Sequence, residues 1–138
     1  MKLEHIGIAV RSLDQALKFY RDTLGLRVAG IQTLAGEKVR VAMLPLGETR
    51  LELLEATAED SVIAEFISKR GEGIHHIAIG VEQLDRHLKQ LQAAGVRILP
   101  AKSEYGAGGY RYAFLHPSSC GGVLVELVEA PAEARKEK

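Results

Sequence analysis

From residue 3 to residue 10 the chain alternates. Leu3, His5, Gly7 and Ala9 fall on one side of an extended strand, and Ile6, Ile8 and Val10 fall on the other. The same alternation returns near the middle, with Ile74, His76, Ala78 and Gly80 against Ile77, Ile79 and Val81. In both places one face is β-branched and suited to pack against helices. The other carries a histidine among very small side chains, which leaves room above the sheet. After the first strand, Ser12 followed by Gln15 predicts a helix start. Leu13, Ala16, Leu17 and Tyr20 form its apolar stripe, and Gly25 closes it. Strands are expected at 26–34, 38–46 and 49–55, then a polar linker at 56–60 and a helix from Ser61 to Arg70. The second half predicts a strand at 74–81, a helix at 83–94 stopped by Gly95 and a strand at 96–99. A glycine-rich loop over 106–109 and strands at 110–116 and 122–129 complete it, and a charged, frayed tail runs from Ala132 to Lys138.

This order is βαβββ written twice, and the residues themselves repeat. At an offset of 71, eight of the 14 positions from 5 to 18 are identical to their counterparts. Arg40, Ala42 and Leu44 recur as Arg111, Ala113 and Leu115. A second shared word, Glu52-Leu53-Leu54-Glu55, returns as Glu126-Leu127-Val128-Glu129 at an offset of 74. The expected architecture is α+β: two pseudo-equivalent βαβββ modules forming one eight-stranded, cupped mixed sheet with helices on its outer face. Module one covers 1–56, a linker and helix 57–73, module two 74–130, and the tail 131–138. At 138 residues this is one domain, because a half of about 70 residues is a marginal core by itself.

Eighteen acidic and eighteen basic residues cancel, so no basic field attracts nucleic acid or an anionic membrane surface. No apolar run approaches the roughly 20 residues that span a bilayer. The chain enters a strand pattern at its first residues, leaving no room for a signal peptide. A lone Cys120 permits no internal disulfide and fits a reducing cytoplasm. The turn around it offers no base to activate a nucleophile, so an inert turn cysteine is expected.

Each half opens with a histidine and closes with a glutamate, which focuses the chemistry on His5, His76, Glu52 and Glu126. Glu52 and Glu55 lie three apart in one strand and must face opposite ways, as must Glu126 and Glu129. An acid inside an apolar strand is costly to bury without a partner, and a cation would satisfy it. An exposed strand face is the competing explanation. Two imidazoles and two carboxylates, without thiolate, suit a divalent ion such as Co²⁺, Mn²⁺, Ni²⁺ or Zn²⁺. With a higher-coordinate ion, two positions stay open for substrate oxygens. The remaining histidines have weaker claims. His87 reads as solvated surface and His75 as helix-facing. His116 reads equally as a turn cap or a substrate contact.

The doubled plan with this His/Glu, His/Glu arrangement resembles the vicinal oxygen chelate superfamily. Phe19-Tyr20-Arg21-Asp22-Thr23-Leu24-Gly25, Asp60-Ser61-Val62-Ile63-Ala64, Gly73-Ile74-His75-His76-Ile77-Ala78 and Phe114-Leu115-His116-Pro117, running into Gly121-Gly122-Val123-Leu124-Val125-Glu126-Leu127, resemble the methylmalonyl-CoA epimerases in particular. The resemblance covers nearly the whole chain up to Glu129. It implies metal ligation by His5, Glu52, His76 and Glu126, where some members have Gln in place of Glu52. It also implies interconversion of (R)- and (S)-methylmalonyl-CoA by proton transfer at C2 through a metal-stabilised enolate. Glu126 would be one acid/base group, with Glu52 and Glu37 the candidates for the other. Some epimerases place a glutamate on the strand where this chain has Val41. An acyl-CoA substrate and a homodimer are the expected partners. Glyoxalase I activity, or small-molecule binding or resistance on the same fold, are the alternatives.

Overall fold

A computed structural model of the chain describes residues 1–101 and 105–132. It is α+β, with seven strands, β1 (Lys2–Ala9), β2 (Gly30–Leu34), β3 (Val39–Leu46), β4 (Thr49–Ala56), β5 (Gly73–Gly80), β6 (Arg111–Leu115) and β7 (Val125–Glu129). Its helices are α1 (Leu13–Leu17), α2 (Val62–Arg70) and α3 (Leu84–Ala93). The chain divides into two compact units. One is His5–His75; the other joins Met1–Glu4 to the chain from His76 onward.

In the His5–His75 unit, β2 pairs antiparallel with β3 and β3 antiparallel with β4. β4 lies parallel to β1, with His5 opposite Arg50 and Gly7 opposite Glu52. Val10, Leu13, Leu17, Ala42, Leu44 and Leu53 are buried together, with Ile8, Tyr20 and Leu51 against them. The β-branched side of β1 therefore meets α1, as the alternation predicts. In the other unit β5 lies parallel to β7, with Ala78 opposite Glu126, and β7 pairs antiparallel with β6. Val81, Leu84, Leu115 and Leu127 form its core with Ile79, Leu88 and Val125. Those seven positions are the counterparts of Val10, Leu13, Leu44, Leu53, Ile8, Leu17 and Leu51. Lys2 and Glu4 lie beside Gly80, where an added Cβ would come 3.4 Å from Lys2 Cγ.

Several expectations need correction. Among the described residues there are seven strands rather than eight, because 96–99 makes one bridge, Ile98 to Leu115, instead of a ladder. Leu99 N donates to Phe114 O at 2.8 Å, but Pro100 follows and has no N–H to extend the pairing. The second strand starts at Gly30, not at 26; Leu26 and Val28 pack irregularly on the first core. The first helix is not uniform. Ser12 Oγ accepts from Gln15 N at 3.2 Å, but after Leu17 the helix widens into a π-helical turn over Lys18–Thr23. There Leu24 N reaches Phe19 O at 2.7 Å and the Thr23 hydroxyl donates to Lys18 O at 3.0 Å, each spanning five residues. Gly25 closes it with φ 88°. The loop at 106–109 holds a short 3₁₀ turn over Ala107–Gly109. Most of the expected frayed tail lies outside the described residues.

Candidate functional site: two imidazole–carboxylate pairs

Each unit contains one histidine paired with one glutamate. In the His5–His75 unit, His5 Nδ1 lies 3.4 Å from Glu52 Oε2. In the other, His76 Nε2 lies 3.5 Å from Glu126 Oε1. The cause is register. The parallel pairings set Gly7 opposite Glu52 and Ala78 opposite Glu126. Each histidine precedes that small residue by two positions, so it shares the carboxylate's face. All four polar residues are buried: His5 3%, Glu52 4%, His76 5% and Glu126 8% exposed. Carboxylates so placed demand positive or hydrogen-bonding company.

That company differs between the pairs. Arg50 donates from Nε to Glu52 Oε2 at 2.8 Å, and its Nη2 lies 2.6 Å from the same oxygen. The position matching Arg50 in the second half is Leu124. The second pair instead lies among aromatic rings. His76 meets Phe114 edge-on at 5.3 Å between centroids, and Phe114 meets Tyr112 at 5.8 Å. The signal for Arg50 in the sequence is the alternation, which puts it two residues from Glu52 on one strand face.

Glu55 and Glu129 face the helices and cap them. Glu55 Oε2 accepts from Leu13 N, and Glu129 Oε1 from Leu84 N, both at 3.0 Å. Arg40 and Arg111 back these carboxylates at 3.6 and 3.5 Å. Anions at helix N-termini satisfy free N–H groups and oppose the dipole. The recurring Glu-Leu-aliphatic-Glu word thus sends one glutamate to each face of its strand.

The other candidates sit elsewhere. Val41 is fully buried on β3. Glu37 belongs to the β2–β3 turn, its N–H bonded to Leu34 O. His116 Nδ1 accepts from Ser118 N at 3.0 Å, the turn-capping role. His87 is bonded to Gln83 O one turn back on α3. His75 lies edge-on to Phe66 of α2 at 5.0 Å. Burial chiefly, and Arg70 secondarily, push its pKa down to about 4. Cys120 is part of the second core. Among the described residues, no helix is long and apolar enough to cross a membrane.

The donor types fit a divalent cation: neutral imidazole and carboxylate are ordinary ligands for first-row ions. Burial of both carboxylates gives such an ion a reason to be there.

Residues 4–114 match the Glyoxalase/Bleomycin resistance protein/Dioxygenase superfamily. The chain is 39% identical to the mitochondrial methylmalonyl-CoA epimerase of Mus musculus, over 94% of this chain and 73% of that one. It is 40% identical to the ethylmalonyl-CoA/methylmalonyl-CoA epimerase of Cereibacter sphaeroides, over 91% and 96%. A crystal structure of a Streptomyces coelicolor methylmalonyl-CoA epimerase variant in complex with 2-nitronate-propionyl-CoA superposes with a TM-score of 0.90. It is 40% identical, with 96% of each chain covered. By these relatives and this family match, the chain belongs to the methylmalonyl-CoA epimerases, isomerases of the glyoxalase/bleomycin resistance/dioxygenase superfamily.

Proposed function

We propose that the chain interconverts (R)- and (S)-methylmalonyl-CoA using one divalent cation held by His5, Glu52, His76 and Glu126. The observation that carries this reading is the pair of buried imidazole–carboxylate contacts, one in each unit, at register-equivalent positions. In this reading the chain acts in the cytoplasm as a homodimer. A bound Co²⁺, Mn²⁺, Ni²⁺ or Zn²⁺ would supply Lewis-acid polarisation of the substrate's thioester and carboxylate oxygens, acidifying the hydrogen on C2.

The chain's own groups do the rest. His5 and His76 bind as neutral imidazoles. Glu126 takes the C2 proton from one face, and Glu52 is the carboxylate available to return one to the opposite face of the enolate. Phe114, against His76, restricts water beside the proton-transfer group. The test is deuterium incorporation at C2 of methylmalonyl-CoA in heavy water, with and without added divalent ions. Metal-dependent exchange is expected. His76→Ala should lose bound metal and at least about 100-fold in exchange rate, while His87→Ala should change neither. Exchange with no metal dependence would refute the metal centre. Turnover of methylglyoxal with glutathione in place of C2 exchange would point to glyoxalase chemistry instead.

A further inference from the structure

Arg50 is a charged side chain held against the first imidazole–carboxylate pair, at a position that is Leu124 in the second half. Two of its guanidinium nitrogens lie within 2.8 Å of a single oxygen, Glu52 Oε2. The contact is sheltered, with the Arg50 side chain 16% and the Glu52 side chain 5% exposed. At low exposure such a contact is weakly screened by solvent, so its charge matters to anything bound nearby. Strand pairing fixes it. Arg50 stands opposite His5 on β1 and Glu52 opposite Gly7, so arginine, glutamate and histidine share one face within one unit. In the second half the matching site is Leu124, beside Glu126 on β7.

We propose that Arg50 is a positioning residue that sets the charge of the site by offsetting Glu52. This inference rests on the metal-centre reading above. Four ligands with two carboxylates would cancel a dication. Arg50 restores a net positive charge facing a substrate that carries its own carboxylate. The guanidinium also fixes the Glu52 carboxylate in one orientation and engages lone pairs of Oε2. Arg50 therefore acts on cation and substrate in opposite directions: it weakens attraction for the cation and strengthens attraction for the anionic substrate. Damage to the fold would weaken both.

The experiment measures Co²⁺ affinity of the metal-stripped protein by chelator competition, and KM and kcat for C2 exchange after metal loading. Arg50→Leu, which copies the second half, should bind Co²⁺ about tenfold tighter while KM for methylmalonyl-CoA rises about tenfold. Arg50→Lys, which keeps the charge, should stay within about threefold of the parent in both. On a Glu52→Gln background, Arg50→Leu should no longer tighten Co²⁺ binding. If Arg50→Leu proves unfolded by circular dichroism, Arg50→Gln carries the same expectations. Unchanged Co²⁺ affinity with raised KM would make Arg50 a direct substrate contact and overturn the inference. So would equal tightening with and without the Glu52 carboxylate. If the parent protein itself takes up no divalent ion, the metal-centre reading falls and this inference with it. If the parent binds and the variants do not diverge, only this inference falls.

Discussion

Glu52 and Glu126 occupy equivalent registers, each opposite a small residue on a parallel strand, yet the first is gripped by Arg50 and the second stands beside Leu124. On the helix-facing side the halves differ in the other sense. α1 begins with two anchors, the Ser12 hydroxyl on Gln15 N and the Glu55 carboxylate on Leu13 N. α3 begins at Gln83, in left-handed conformation with φ 56° and without a side-chain capping bond, so Glu129 stands alone at its first N–H. Duplication preserved the core and both glutamate positions. Divergence acted on the residue beside each glutamate. A packed core tolerates little change in volume, whereas the neighbours of a polar group can change so long as its charge and hydrogen bonds are met.

The sharpest way to break the comparison is to neutralise the two site glutamates in turn. Glu126→Gln should keep bound metal at reduced affinity through its amide oxygen while C2 exchange falls by about 100-fold or more. Glu52→Gln should cost only about tenfold. Metal content measured beside deuterium incorporation decides it. If Glu52→Gln is the more damaging, the roles assigned to the halves are reversed.

A smaller effect concerns position 75, whose counterpart in the first half is Glu4. His75 takes up a proton near pH 6.5 when unfolded but only near pH 4 when folded. Its neutral burial therefore costs nothing above pH 6.5, and stability is lost as pH falls through that window, by about 3 kcal/mol at most. Urea unfolding at pH 7 and pH 4.5 should show the parent losing more stability than His75→Gln. Equal losses would place the acid sensitivity elsewhere.

The smallest expected difference is at the helix caps. Glu55→Ala should cost about 1 kcal/mol, because Ser12 still caps α1, whereas Glu129→Ala should cost about 2 kcal/mol. Equal costs in chemical denaturation would show that the Ser12 hydroxyl contributes nothing beyond Glu55.

Much of the architecture was legible because the period-two pattern is strong where a strand has one face toward helices. Ile8, Val10, Ile79 and Val81 reach the cores as their spacing predicts. The α2 start at Ser61 was equally readable, its hydroxyl accepting from Ile63 N at 3.1 Å. The pattern was weaker at chain segments whose state depends on a distant neighbour. Leu26 and Val28 are apolar and spaced like a strand, yet they serve the core without joining the sheet. Residues 96–99 resemble a strand and find one bridge. The π-helical turn after Leu17 left no trace in the apolar spacing, because both helix types keep Tyr20 on the core.

By itself the sequence determined the repeat and the sorting of faces, because these follow from local alternation and from identity between halves. Only the tertiary structure decided which glutamate of each Glu-Leu-aliphatic-Glu word caps a helix and which stands beside a histidine. It also decided that Arg50, and nothing equivalent at Leu124, lies against a site carboxylate. The reason is register: a strand's own sequence says which residues share a face, but what stands opposite them is set by pairing with a strand some forty to fifty residues away.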